Sequence, residues 1–334
     1  MGLFTQAQWI CDAPFSELPP RNVFRRQQSK DPLPPHRDEL CNHHWLVRGS
    51  FELQTVPNDA RLLITADDHY RLWINGQFVG IGPAPGFPHH YYCNTWDVSR
   101  FLRKGRNVIA VHVYYQGLLN RVWVSADHRQ GMIAELKQDD RVLFSSSSTW
   151  RGIRSAAWAS AGTVGYATHF LERFDCRSYD AHWRNIDFDD SAWPAVHVKQ
   201  QHDYTFVAQP TPTLKMYEVK PVAIHPLNDG ASCWLDFGRE LTGTLLARAR
   251  GPAGAEIELR YGEELLADGR VRHAMRCNCD YREYWILSGR DDELEQVDYK
   301  GCRYAEVIVP PGAQVDADSI RIQVRHYPLN EDRF

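Results

Sequence analysis

Two adjacent carboxylates, Glu263 and Glu264, are the first candidates for chemistry in this chain of 334 residues. Hydrolysis of a glycosidic bond needs two carboxyl groups, about 5 Å apart for retention of configuration and about 6.5–9.5 Å apart for inversion. Successive side chains of a strand point to opposite faces, so this pair cannot converge on one bond. We assign no catalytic residue and expect the two glutamates to close a hairpin before Asp268-Gly269.

Acidic residues in two places could hold a calcium ion through carboxylate and carbonyl oxygens. Asp67-Asp68 precedes a predicted strand, and Asp187, Asp189 and Asp190 lie in a predicted loop. Neither group has the Asp-x-Asp-x-Asp-Gly spacing of a calcium-binding loop. Asx turns and helix caps explain the same residues without a metal ion, and we predict no metal site.

A cluster of zinc donors occurs at His273, Cys277, Cys279 and Asp280. Its Cys-x-Cys spacing differs from the Cys-x-x-Cys knuckle, and no second half of a zinc site is visible in the sequence. The sequence also lacks a glycine-rich phosphate loop and a Gly-x-Ser-x-Gly nucleophile motif. We therefore predict no metal ion and no cofactor.

The elements that would position these residues are strands. Residues 255–261 alternate, with Ile257, Leu259 and Tyr261 on one side and charged residues on the other, which is typical of a half-buried antiparallel strand. Residues 107–114 are apolar on both faces and predict a central strand. Asn75-Gly76 between two β-rich runs predicts a hairpin, because a type I′ turn needs positive φ at both central residues. Helical patterns are few, so the sequence predicts an all-β fold.

A proline-rich connector at residues 205–213 has no clean period and predicts a domain boundary. We place the first domain at residues 1–208 and the second at residues 209–328. Residues 329–334 are interpreted as a truncated link to a domain that follows.

Composition restricts the class of protein. The net charge is −4 with no basic stripe, which disfavours nucleic acid and anionic membranes as partners. The N-terminus lacks the apolar segment of a signal peptide, so we expect a cytoplasmic protein. The eight cysteines are scattered, which favours free thiols over a disulfide framework. Aromatic residues make up 12% of the chain and suit both sandwich cores and stacking on sugar rings.

Five segments together carry a recognisable order of motifs. They are residues 66–84, with Asp67-Asp68-His69-Tyr70; residues 91–111, with Trp96-Asp97-Val98-Ser99; Phe188-Asp189-Asp190-Ser191-Ala192-Trp193; residues 236–269, which begin Asp236-Phe237-Gly238-Arg239; and residues 280–307, with Asp298-Tyr299-Lys300-Gly301. This order resembles the bacterial α-L-rhamnosidases of glycoside hydrolase family 78 over nearly the whole chain. The resemblance implies two antiparallel β-sandwich domains, a galactose-binding-like jelly roll followed by a concanavalin-like sandwich.

The resemblance also implies what this chain lacks. In the family, an (α/α)6 barrel follows these sandwiches and supplies the general acid and general base of an inverting hydrolysis. The motifs of that barrel are absent from this sequence, so no catalytic residue can be carried over. We expect a non-catalytic, carbohydrate-associated module that supports such a barrel and is inactive alone.

If the first sandwich holds a sugar site, loops at one of its ends should carry it. The candidates are Asp68, His89, His90, Tyr91 and Tyr92. They combine hydrogen-bond donors, acceptors and ring faces beside the turn at residues 82–86. Alternatively, Tyr91 and Tyr92 begin a strand and pack beneath it.

Two other functions stay open at this point: a free-standing sugar-binding protein, and a subunit that docks a separately encoded barrel. The partners that we expect are a rhamnose-containing carbohydrate and either a catalytic barrel domain or a second copy of the chain.

Overall fold

The chain is described here by a computed structural model that covers residues 2–23, 36–119, 125–200 and 202–328. Strands and β-bridges hold 51% of the described residues, and short 3-10 helices hold 5%. The prediction of an all-β fold is confirmed. No helix among the described residues is long and apolar enough to cross a membrane. The predicted link at residues 329–334 lies outside the described residues.

The strands, in chain order, are β1 (Ile10–Cys11), β2 (His43–Leu53), β3 (Arg61–Asp67), β4 (His69–Ile74), β5 (Gln77–Gly82), β6 (Tyr91–Asp97), β7 (Gly105–Tyr115), β8 (Gly131–Gln138), β9 (Arg141–Ser145), β10 (Arg151–Arg154), β11 (Trp158–Val164), β12 (His169–Asp175), β13 (His197–Val198), β14 (Phe206–Ala208), β15 (Lys215–Val219), β16 (Ala223–Pro226), β17 (Cys233–Arg250), β18 (Glu256–Gly262), β19 (Arg282–Ile286), β20 (Asp291–Glu293), β21 (Lys300–Ile308) and β22 (Gln314–His326). The described 3-10 helices are Ala13–Phe15, Asp38–Leu40, Ser99–Phe101, Cys176–Ser178 and Ala181–Arg184.

The first compact unit comprises the chain up to Ser155 and the segment Asp180–Thr213. One of its sheets has the order β13-β1-β8-β3-β6-β14, with β9 paired to β8, and the other has the order β10-β2-β7-β4-β5. Strand pairs are antiparallel except for β6 and β14, which run parallel. Buried residues of both sheets, among them Trp45, Val111, Ile64 and Met132, form one core between the sheets. This arrangement is a β-sandwich, as predicted.

Two local predictions in this unit are confirmed. Strand β7 lies between β2 and β4, and its side chains from Asn107 to Tyr115 are buried, as expected of a central strand. Strands β4 and β5 form the predicted hairpin, with Ile74 opposite Gln77. Asn75 and Gly76 have φ angles of 52° and 81°, so both occupy the left-handed region that a type I′ turn requires.

The second compact unit comprises the segment Ala156–Tyr179 and the chain from Leu214 onward. Its strands follow the order β11-β12-β19-β18-β21-β17-β22-β15, with β16 and β20 paired to β17. In the predicted strand, Ile257, Leu259 and Tyr261 are buried, and the charged residues that alternate with them, Glu256, Glu258 and Arg260, are half-buried. The unit is an antiparallel β-sandwich with one parallel pair, β12 and β19.

The two compact units do not follow the predicted domain boundary between residues 208 and 209, because each unit is built from two separate segments of the chain. The hairpin of β11 and β12 precedes the connector in sequence, yet β12 pairs with β19, with Arg173 opposite Tyr284. The first unit also takes back the segment Asp180–Thr213 after that hairpin. The hairpin joins the second sheet through a long-range strand pairing that no local pattern indicates.

Candidate functional site

The loop between β5 and β6 of the first unit carries an exposed aromatic ring, that of Phe87. Phe87, Pro88, His89 and His90 form a tight turn, closed by a hydrogen bond from the His90 amide to the Phe87 carbonyl at 2.8 Å. Proline at the second position of the turn favours this geometry because its φ is already fixed. The Pro88 carbonyl accepts from the Thr205 amide at 2.8 Å, which ties the turn to the segment before β14.

Three rings lie at the surface of this turn. Phe87 is 56% exposed, and the ring of His89 stacks beside it with centroids 5.8 Å apart and planes 16° apart. His90 is also exposed, and its centroid lies 6.1 Å from that of the half-buried Tyr92. The surface therefore offers an apolar ring face beside two imidazoles that can donate or accept hydrogen bonds.

A chain of polar side chains holds the base of this loop. The side-chain oxygen of Gln209 accepts from the Ala84 amide at 2.8 Å and from the Asn94 amide group at 2.9 Å. Asn94 accepts in turn from the Tyr70 hydroxyl at 2.7 Å, and Trp96 donates to that hydroxyl at 2.9 Å. These bonds run from the core of the sandwich to the loop and fix where the loop leaves β5.

Tyr91 lies beneath the loop rather than on it. Its ring stacks on that of Tyr204 with centroids 3.9 Å apart, and its hydroxyl donates to the Ala66 carbonyl at 2.9 Å. Burial raises the pKa of the Tyr91 hydroxyl well above its ordinary value. Tyr91 therefore serves packing, which is the alternative that the sequence left open for it.

Asp68 belongs to a group of buried acids at the end of β3. Its side chain is fully buried and accepts from the Gln116 amide at 2.7 Å. Burial raises its pKa to about 7. Burial and the neighbouring Asp68 carboxyl raise the pKa of Asp67, which accepts a hydrogen bond from the Tyr204 hydroxyl. Burial, together with the charge of Asp67, raises the pKa of Asp127 to about 7.

Arg129 supplies a positive charge that partly balances the negative charge of these acidic residues. Arg129 donates to Asp127 at 2.9 Å and forms two bonds of 2.8 Å with Asp203. It has a side-chain exposure of only 3%. The pKa of Arg129 is raised by its bonds to Asp203 and Asp127, although its burial acts in the opposite direction. The guanidinium therefore stays charged and stabilises the Asp127 carboxylate through a buried, charge-assisted hydrogen bond.

The structure separates the five predicted sugar-contacting residues into two groups. His89, His90 and Tyr92 reach the surface around one turn, whereas Asp68 and Tyr91 are buried in this conformation. Only the first group is accessible from this surface. The sequence reasoning missed Phe87, whose place beside proline in a glycine- and proline-rich loop was the available signal for an exposed ring.

Two of the other sequence candidates have clear structural partners. Glu264 pairs with Arg272 and its carbonyl accepts from the Arg272 amide, so it closes the hairpin around Asp268-Gly269, as expected for Glu264. Asp189 accepts from the Ser191 amide at 3.0 Å in an Asx turn.

The four residues whose types could bind zinc, His273, Cys277, Cys279 and Asp280, are also engaged in part. His273 Nδ1 and the Asp280 carboxylate are joined by a hydrogen bond of 2.7 Å, and Arg282 binds the same carboxylate at 2.7 Å. Cys277 is exposed and Cys279 is half-buried. Across the described ranges, no group of three or more His, Cys, Asp or Glu residues is arranged to hold a metal ion.

Two family models match this chain in order. Residues 55–218 match the alpha-L-rhamnosidase N-terminal domain, and residues 227–325 match the bacterial alpha-L-rhamnosidase concanavalin-like domain. A curated alpha-L-rhamnosidase of Streptomyces avermitilis is 28% identical over 271 residues, which are 76% of this chain and 25% of the relative. A second, from Formosa agariphila, is 24% identical over 81% of this chain and 30% of its own length. The chain thus spans about a quarter to a third of the curated relatives that it matches.

Solved structures give the same architecture. The crystal structure of Streptomyces avermitilis alpha-L-rhamnosidase complexed with L-rhamnose superposes with a TM-score of 0.68 and 25% identity, and the match covers 86% of this chain and 29% of that one. The family 78 rhamnosidase of Bacillus sp. GL1 has a TM-score of 0.81 at 16% identity, covering 99% of this chain and 56% of that one, which shows the fold.

Proposed function

We propose that this chain, which belongs to the bacterial alpha-L-rhamnosidase family through both of its domains, is the non-catalytic, carbohydrate-associated part of such a glycosidase. The observation that carries the proposal is the order and extent of the two matches. The alignments with the curated relatives likewise cover most of this chain but only a quarter to a third of each relative. In this proposal, an inverting (α/α)6 barrel that is not in this chain performs hydrolysis.

The surface turn of the first unit is the sugar-binding surface in this proposal. L-Rhamnose, which the Streptomyces relative binds, carries a methyl group in place of a hydroxymethyl group and so presents apolar surface. The exposed ring of Phe87 offers a matching apolar face, and the imidazoles of His89 and His90 offer partners for hydroxyls. The bonds through Gln209 hold the loop in place before a ligand arrives, which lowers the entropic cost of binding.

Calorimetric titration with methyl α-L-rhamnoside tests this surface. The Phe87→Ala variant should bind at least tenfold more weakly than the wild type, because truncating an exposed aromatic anchor removes its stacking area. Tyr166→Ala is the matched control, since Tyr166 is 60% exposed but lies in the second unit. Equal losses in both variants, or no binding by the wild type, would contradict the proposed surface.

A further inference from the structure

A row of aromatic side chains crosses three neighbouring strands on one face of the second unit. His225 on β16 lies directly opposite Trp234 on β17, and their rings stack with centroids 3.9 Å apart and planes 14° apart. Tyr304 on β21 meets Trp234 edge to face at 6.0 Å. The three strands are adjacent in the sheet, so the row spans two strand spacings, roughly 10 Å.

These rings are on the outside of the sandwich. Trp234 alternates with the buried Leu235 along β17, and Tyr304 alternates with the buried Ala305 along β21. His225 is exposed, and Trp234 and Tyr304 are half-buried. Contiguous exposed aromatic patches, unlike single exposed rings, often mark sites where a ligand or a partner binds.

Two rigid ion pairs border the row. Arg303 forms two bonds of 3.0 Å with Asp236, and its guanidinium lies 4.9 Å from the centre of the Tyr304 ring. Arg270 forms bonds of 2.7 and 3.0 Å with Glu306, which is directly opposite Trp234 in the register. Both pairs are bidentate. Glu306 is buried, so the Arg303–Asp236 pair and the guanidinium of Arg270 are the polar groups of the two pairs that reach the surface.

Polar atoms beside the rings keep free hydrogen-bonding capacity. Within the described ranges, no hydrogen bond reaches the ring nitrogens of His225, the indole N–H of Trp234 or the hydroxyl of Tyr304. The polar atoms of Trp234 and Tyr304 are not sealed from solvent, and His225 is an exposed residue. An aromatic row with donors and acceptors along its edges suits a ligand that is apolar on one face and hydroxylated around its rim.

We propose that this face, formed by His225, Trp234 and Tyr304, binds a neutral oligosaccharide across β16, β17 and β21. The inference rests on the proposed function for its ligand class, a rhamnose-containing glycan, but it uses a different unit and different residues. The aromatic row is long enough for more than one sugar ring, so the site favours an oligosaccharide over a monosaccharide. A protein partner is the competing occupant, because Trp, Tyr and Arg are also the residues that dominate protein interfaces.

The test follows the indole N–H resonance of Trp234 by NMR in the full chain, assigned by its loss in Trp234→Phe. A trisaccharide of α-linked L-rhamnose is the probe. We expect this resonance to shift saturably, the Tyr304→Ala variant to bind about tenfold more weakly at this site, and Phe87→Ala to leave the Trp234 response unchanged. Circular dichroism and thermal unfolding check that each variant is folded, and Tyr304→Phe, which keeps the ring, should retain most of the affinity.

Three other results would overturn the inference. A Trp234 resonance that stays fixed while the probe saturates the turn at Phe87 overturns this inference and leaves the proposed function standing. A shift that follows protein concentration rather than sugar identifies a protein interface and overturns it as well. A wild-type chain in which no resonance responds to the trisaccharide contradicts both the inference and the sugar-binding surface of the first unit.

Discussion

Arg48 should be among the most costly side chains to remove from the first unit. It lies on β2 with 1% exposure and binds Asp190 at 2.8 Å. It also donates to the carbonyls of Trp183, Asn185 (3.0 Å) and Phe188 (3.3 Å). One guanidinium thus holds the whole segment that contains the Phe-Asp-Asp-Ser-Ala-Trp motif against the sandwich.

The Arg48→Met substitution keeps the aliphatic volume and removes these bonds. The Asp190 carboxylate loses its partner, and three carbonyls lose a charged donor. Removing one partner of a buried ion pair costs about 3–5 kcal/mol. With an m-value of about 2 kcal/mol per molar, the urea midpoint of this unit should fall by about 2 M.

Tryptophan fluorescence in urea measures this effect, because Trp183 is buried beside the segment. The matched control is Arg61→Met, which removes an exposed pair with Asp59 of the same 2.8 Å length. Exposed pairs contribute little, so the control should show no detectable shift. Equal midpoints for wild type and Arg48→Met would refute the view that this network anchors the segment.

Three further predictions concern a carboxyl group, a glycine and a thiol. Burial raises the pKa of Asp68 to about 7, so the stabilisation that its protonated form gives the folded state is fully present below about pH 4 and is lost as the pH rises to about 7. Asp68→Asn should therefore flatten the pH dependence of the urea midpoint between these two pH values. An unchanged slope would contradict the raised pKa. A Cβ at Gly243 would overlap the Gln323 carbonyl, so Gly243→Ala should destabilise the second unit by about 1–3 kcal/mol. A Cβ at Gly301 fits without overlap, so Gly301→Ala should destabilise the unit much less. Thermal unfolding that ranks the two variants in the reverse order would refute the steric argument. Cys277 is the exposed thiol of the eight and should react first with a thiol reagent in the folded chain, a result that peptide mass mapping reads directly.

Much of the fold could be predicted because its signals are local. The alternation around Ile257 and Leu259 reflects one buried face, and Asn75-Gly76 reflects the φ angles of one turn. The placement of Ala156–Tyr179 could not be predicted in this way. Its hairpin belongs to the second unit through a pairing between Arg173 and Tyr284, more than a hundred residues away, and a strand's own pattern does not name its partner.

The candidate site was predicted less well for a related reason. An aspartate next to a loop is usually exposed, but Asp68 is buried among residues that are distant in sequence, among them Gln116. By itself, the alternation rule would put Trp234 on the opposite face of β17 from the buried Leu235. What the rule could not supply was the register that brings Trp234 beside His225 and Tyr304.

Saturation-transfer difference NMR with methyl α-L-rhamnoside decides whether this chain binds sugar without hydrolysing it, because one sample reports both processes. We expect transfer of saturation from the protein to the sugar protons, together with an anomeric signal that stays constant for as long as the sample is observed. The absence of transfer would contradict the carbohydrate-binding role, and a free rhamnose signal that grows in the wild type but not in Asp68→Asn or Glu263→Gln would contradict the non-catalytic one.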